Sequence, residues 1–88
     1  MQTTEFFKAL SDATRLQIVQ LLSSQPKMCV CEIVEKLGQP QPTVSRHLNH
    51  LKRIGILASE RRGTWMWYQL EPNMPKWCQV IIKQVPDS

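Results

Sequence analysis

Apolar residues recur along this chain at intervals of three and four until about residue 55, and at intervals of two for a stretch beyond it. Phe6, Phe7 and Leu10 stand at helical spacing behind Thr3, a capping residue type, and predict a short first helix over about 3–10. Ser11 or Asp12 then caps a second helix with Leu16, Val19 and Leu22 along its inner face and Pro26 past its end. Val30, Ile33, Val34 and Leu37 follow at i, i+3, i+4 and i+7, with Gly38 where a helix often ends in positive φ. Pro40 and Pro42 bracket the entry to a fourth helix, Gln41 to Ile54, and Gly55 closes it.

That fourth helix has two distinct sides. Val44, Leu48 and Leu51 recur at i, i+4 and i+7 and must face a core. Thr43, Arg46, His47 and His50 recur at i, i+3, i+4 and i+7 on the other side, and each can hydrogen-bond. A short helix, a turn of about four residues and a helix with a free polar face have the proportions of a helix-turn-helix, here about 30–54.

After Gly55 the period becomes two. Ile56 to Arg62 and Thr64 to Leu70 predict two strands around Gly63. Trp65, Trp67 and Gln69 share one face and Met66, Tyr68 and Leu70 the other. The hairpin, about 56–70, carries Glu60, Arg61, Arg62 and Gly63 at its tip, and a basic tip beside a reading helix is a wing. Pro72 and Pro75 introduce a last helix, about 74–85, with Met74, Trp77, Cys78, Ile81 and Val85 as an apolar stripe. So small a unit has little core left for that stripe, and a second copy of the chain is its expected cover, with the first helix helping. The fold expected is mainly α with a small β-hairpin, a winged helix-turn-helix of order α-α-α-α-β-β-α over a single unit, 1–88, forming a homodimer.

Charge sharpens this picture more than composition does. The net charge is +4, and between Thr43 and Arg62 there are five basic residues, Arg46, Lys52, Arg53, Arg61 and Arg62, against the single acid Glu60. The remaining basic and acidic residues cancel, so the whole excess lies in the segment with the reading helix and the hairpin. Such a localised excess is the electrostatic footprint of a phosphate-backbone binder, although a merely solvated face would look the same by charge alone. Three cysteines are too few for a disulfide scaffold, and an odd count without a signal-peptide pattern points to reduced thiols in a cytoplasm. No apolar run approaches the roughly 18 residues of a bilayer span, so no membrane role is expected. GxSxG, HExxH and phosphate-loop motifs are absent from the sequence, and no catalytic residue is expected.

Four segments together resemble the ArsR/SmtB winged helix-turn-helix repressors. They are Ala9-Leu10-Ser11-Asp12-Ala13-Thr14-Arg15-Leu16, Cys29-Val30-Cys31-Glu32-Ile33, Gln39-Pro40-Gln41-Pro42-Thr43-Val44-Ser45-Arg46-His47-Leu48, and Gly63-Thr64-Trp65 leading to Tyr68-Gln69-Leu70. The likeness runs from about Glu5 to Ile82 and is strongest to the arsenic-responsive branch. It implies a homodimer that represses an operon from a palindromic operator and leaves the DNA when an inducer binds. It also implies that Cys29 and Cys31 are the thiolates that bind As(III) or Sb(III), which are soft, thiophilic centres.

Residues i and i+2 of a helix lie about 200° apart, whereas in an extended segment they share a side. Chelation by Cys29 and Cys31 is therefore expected to favour a non-helical backbone over 29–31, unwinding or shifting the first turn of the third helix. The helix N-terminus and Lys27 should raise the thiolate fraction. Where some relatives place a third cysteine this chain has Val34, which leaves Cys78 as a candidate third donor and an exogenous ligand as the simpler one. The last helix has no Asp or His between Asn73 and Lys83, so no structural zinc is expected.

DNA contacts are expected from Gln41, Thr43, Ser45, Arg46 and His47 in the first two turns of the reading helix and from His50 on the same side, with Arg46 the best bidentate donor. Arg61 and Arg62 should meet the backbone. Three alternatives stay open: a repressor of the same fold answering to thiol oxidation or polysulfide, a thiol-disulfide enzyme, and a constitutive DNA binder. A Cys29–Cys31 bridge is expected to form only with strain.

Overall fold

The computed structural model describes residues 1–86; the last two positions of the 1–88 unit lie outside the described residues. Its elements are α1 (Thr3–Leu10), α2 (Ala13–Ser24), β1 (Met28–Cys29), α3 (Val30–Leu37), α4 (Gln41–Arg53), β2 (Leu57–Arg62), β3 (Trp65–Leu70) and α5 (Lys76–Gln84). This is a winged helix-turn-helix, with five helices and an antiparallel sheet of order β1-β3-β2. The two-residue strand β1 was not expected. Met28 pairs with Tyr68 and Cys29 with Trp67, so the wing gains a third strand from the segment that leads into α3. Two residues are too short a run for alternation to register.

Local chemistry explains most boundaries. Asp12, rather than Ser11, caps α2 by accepting the Arg15 N–H at 3.0 Å. Thr3 is the first residue inside α1 and does not cap it; the cap position is Gln2, which makes no side-chain bond. Gly38 ends α3 with φ of 64°, where a side chain would be strained, and its N–H donates to the Val34 carbonyl. The hairpin turns at Gly63 and Thr64, because the strands stay paired out to Arg62 and Trp65. Glu60 therefore sits two rungs back from the tip, opposite Trp67, and not at the tip as expected.

The core gathers Phe6, Ala9, Ile18, Val19, Leu22, Met28, Ile33, Val44, Leu48, Leu51, Ile56, Leu57, Tyr68, Cys78 and Ile82. The inward side of α4 is as expected. On α2, however, Ile18 is buried while Leu16 is only partly so, and on α5 the buried pair is Cys78 and Ile82 at i and i+4. Met74 is buried ahead of α5, not within it. Phe7 and Trp77 point outward instead, 49% and 37% exposed, together with Val80. Phe6, on the core side, meets both Phe7 and Trp77 edge to face.

Candidate nucleic-acid interface and thiol pair

The turn between α3 and α4 is held from behind, where Gln39 Nε2 donates to Thr14 Oγ1 of α2 at 3.0 Å. With Val44, Leu48 and Leu51 fully buried, the orientation of α4 about its own axis is settled, and the residues it turns outward can be read off. Gln41, Pro42, Arg46, Asn49, Lys52 and Arg53 are exposed, and Thr43 and Ser45 are half-buried. Arg46, Asn49 and Arg53, at i, i+3 and i+7, form the outermost line. Asn49 and Arg53 were not among the expected site residues, although their spacing from Arg46 was a usable signal.

His47 and His50 lie to the side of that line, toward α2. The His47 side chain is 12% exposed; its Nδ1 stands 3.3 Å from Arg15 Nη1 and 4.0 Å from the Asp12 carboxylate. His50 is partly buried, and burial, then the charges of Arg15 and Arg53, lowers its pKa below the ordinary 6.5. Of the two imidazoles expected at the DNA, His47 is drawn onto Arg15 and Asp12 of the α2 end, and His50 stays half-exposed.

The wing shows a similar division. Arg61 and Arg62 are both exposed. Arg62 Nη2 lies 2.8 Å from Glu60 Oε1 and its guanidinium lies over the Trp67 ring at 5.5 Å. Lys27 Nζ reaches the same Glu60 oxygen at 3.3 Å. Hydrogen bonds from Arg62 and Lys27 hold the Glu60 carboxyl below its ordinary pKa. Lys27, expected to raise the thiolate fraction of the cysteines, is thus paired with Glu60. Ion pairs this exposed are weak, but they fix where the charges sit.

At the start of α3 the two cysteines meet. Cys29 is the N-cap, with extended backbone (φ −70°, ψ 149°), and Cys31 is the second residue of the helix. Their Cα atoms are 5.3 Å apart and their sulfurs are in direct contact, as in a disulfide. Cys29 Sγ accepts the Cys31 N–H at 3.3 Å, and Glu32 Oε1 accepts the Cys29 N–H at 2.9 Å, completing a capping box. The two sulfurs therefore meet without the extended 29–31 backbone expected for them: a cap residue is off the helical path, so its side chain folds over the first turn and meets residue i+2 with α3 intact from Val30. The Cα separation also falls inside the ordinary disulfide range, so the spacing does not of itself oppose a bridge. Cys29 is buried and Cys31 exposed, which opens the pair to solvent on one side.

Cys78 is elsewhere. It is fully buried on α5 with Met1 Sδ at 3.9 Å, and burial raises its pKa. Among the described residues no three His, Cys, Asp or Glu side chains come close enough to share a metal, so Cys78 does not join the pair within one chain. Among the described residues no helix is long and apolar enough to cross a membrane.

Residues 12–59 match the family described as bacterial regulatory protein, arsR family. The chain is 40% identical over 82 residues to the arsenic resistance transcriptional regulator ArsR1 of Pseudomonas putida, covering 93% of this chain and 64% of that protein. It is 44% identical over 80 residues to the arsenical resistance operon repressor of Escherichia coli, covering 91% and 68%. A cadmium resistance transcriptional regulatory protein, CadC of Listeria innocua, is 41% identical over 63 residues, covering 72% and 53%. Among solved structures, HlyU from Vibrio cholerae superposes with a TM-score of 0.81 at 25% identity, covering 91% of this chain and 83% of that one. With a third strand on its wing and Cys29 capping the first helix of its helix-turn-helix, the chain belongs to the arsR family of bacterial regulatory proteins, which are DNA-binding transcriptional regulators and not enzymes.

Proposed function

We propose that this chain represses transcription as a homodimer on a palindromic operator and releases the DNA when As(III) or Sb(III) binds Cys29 and Cys31. The observation that carries this reading is the contact between the two sulfurs at the N-cap of α3, one of them exposed. An arsenous acid molecule exchanges two hydroxyls for the two sulfurs, with two waters leaving as the thiol protons are taken up, and keeps its third hydroxyl. That matches a site in which Cys78 is remote. Trivalent arsenic and antimony are soft centres that prefer thiolates, and a helix N-terminus favours the thiolate form. The similarity to arsenic regulators supports this inducer class, and the similarity to a cadmium regulator keeps other thiophilic ions in the comparison.

Ligation draws Cys29 Sγ away from the Cys31 N–H and loosens the cap of α3, the helix against which α4 is set. Arg46, Gln41, Thr43 and Ser45 meet bases or phosphates, and Arg61 and Arg62 meet the flanking backbone. Phe7, Trp77 and Val80 form the apolar face that a second copy covers, which places two reading helices on successive major-groove faces. The test is operator release measured by fluorescence anisotropy while arsenite, antimonite or cadmium is added. Release of the wild type by arsenite, and none of a Cys29→Ser/Cys31→Ser double variant, is the expected result. Undiminished release of the double variant refutes the sensor.

A second reading is favoured by the same contact. Oxidation of the two thiols to a disulfide by peroxide or a polysulfide, two electrons passing to the oxidant, would lock Cys29 to the first turn of α3, where the sulfur still accepts the Cys31 N–H, and so change how α3 can move. Release by peroxide in the absence of metalloid, reversed by dithiothreitol, would replace the first reading with this one.

A further inference from the structure

Arg15 joins three parts of the fold. Its Nε donates to the Ala9 carbonyl at 2.9 Å and its Nη2, more weakly, to the Lys8 carbonyl at 3.4 Å, which Ser11 also caps; both lie in the last turn of α1. Its own N–H donates to the Asp12 cap. Its Nη1 meets His47 Nδ1 at 3.3 Å, 32 residues along the chain and in the middle of α4. An arginine has donors only, so in this hydrogen bond Nδ1 is the acceptor.

We propose that Arg15 and His47 are positioning residues that set the angle of the reading helix against α1 and α2, and through it the half-site spacing that a dimer accepts. The inference rests on operator binding by α4 as proposed above. A line of apolar residues fixes which side of α4 faces inward, but it leaves the helix free to rock along the core. A planar guanidinium bonded to a helix end on one side and to an imidazole on the other removes that freedom. The anchor on the far side is α1, which carries Phe7 of the exposed apolar face, so the link runs from the dimer contact to the reader. Such a link translates the distance between two protomers into the distance between two reading helices. His47, only 12% exposed and engaged by Arg15, is in no position to read a base itself.

The test uses the full chain. A duplex library selected with the wild type supplies the preferred palindrome, and its half-site spacing is then varied one base pair at a time. The wild type is expected to prefer one spacing sharply. His47→Leu is expected to bind that spacing about tenfold more weakly, the scale of one lost charge-assisted hydrogen bond. It should tolerate one base pair more or less with little further loss, and keep the same base preferences and salt dependence. His47→Gln, which retains an acceptor, should restore discrimination. Arg15→Gln should reproduce His47→Leu, and the double variant should be no worse than either single one. If Arg15→Gln fails to fold, the two His47 variants decide alone. A change of preference at one base pair in His47→Leu, with spacing discrimination intact, overturns the proposal. So does strict additivity of the Arg15 and His47 effects. A wild type that prefers no sequence overturns this inference together with the reading it rests on, whereas sequence preference with unaltered spacing discrimination in His47→Leu overturns this inference alone.

Discussion

Cys29 Sγ accepts the backbone N–H of Cys31 across 3.3 Å, so the sulfur expected to bind the inducer is also the cap of the helix that begins the DNA-reading motif. Two roles that could have been separate are held by one atom. A ligand that takes the sulfur removes a helix cap, and this couples chemistry at the pair to the geometry of α3 without any need for the helix to unwind first.

Substitutions at Cys29 should therefore separate the two roles. Serine is a good N-cap, so Cys29→Ser should stay within about 0.5 kcal/mol of wild-type stability while losing its arsenite response. Alanine cannot cap, and Cys29→Ala should lose roughly 1 kcal/mol as well as the response. Urea denaturation alongside arsenite titration measures both. Equal stability of the two variants would deny the sulfur its capping role.

Cys78 offers the complementary control. It is fully buried, so Cys78→Ser places a hydroxyl in an apolar site and should lower stability by roughly 1–3 kcal/mol. Because it lies apart from the pair, arsenite affinity and stoichiometry should not change. A shift in either would restore Cys78 as a ligand.

On the wing, two adjacent arginines should behave differently. Arg61→Ala should reduce the slope of log affinity against log salt by about one. Arg62→Ala should reduce it less, since Glu60 already offsets that charge. Glu60→Gln frees both Arg62 and Lys27 and should tighten binding and steepen the slope. Affinities measured between about 50 and 200 mM salt check all three. Equal slopes for Arg61→Ala and Arg62→Ala would show that the Glu60 pair opens on DNA.

Asp12 predicts a pH dependence. The Arg15 N–H, aided by the charge of the Arg15 guanidinium, holds its carboxyl below the ordinary 3.8. A depressed carboxylate pKa means that the folded state favours the ionised form. The stability it contributes is present above 3.8 and is lost as pH falls through the lower, folded value. Asp12→Asn should then differ from the wild type in stability at pH 6, with the gap narrowing as pH falls below 3.8. Denaturation curves across that range measure it, and a gap independent of pH would assign the effect to something other than the charge.

Much of this was legible in the residues alone. The α3, turn and α4 succession, the inward line of Val44, Leu48 and Leu51, the end of α3 at Gly38 and the hairpin faces all follow from periodicity and turn chemistry, because these depend on near neighbours. Periodicity reports that a side is buried, not against what. Tertiary structure alone decided the rest. It drew His47 to Arg15 and away from the groove, seated Arg62 on Glu60 and Trp67, and made Met28 and Cys29 a strand. It also brought the two sulfurs together over an intact helix. His47 with Arg15 and β1 with β3 join residues far apart in sequence, Arg62 meets Glu60 and Trp67 only because the hairpin pairs in one register, and the sulfur contact turns on one extended residue at a helix start. The spacing of residue types carries neither the contact nor the dihedral.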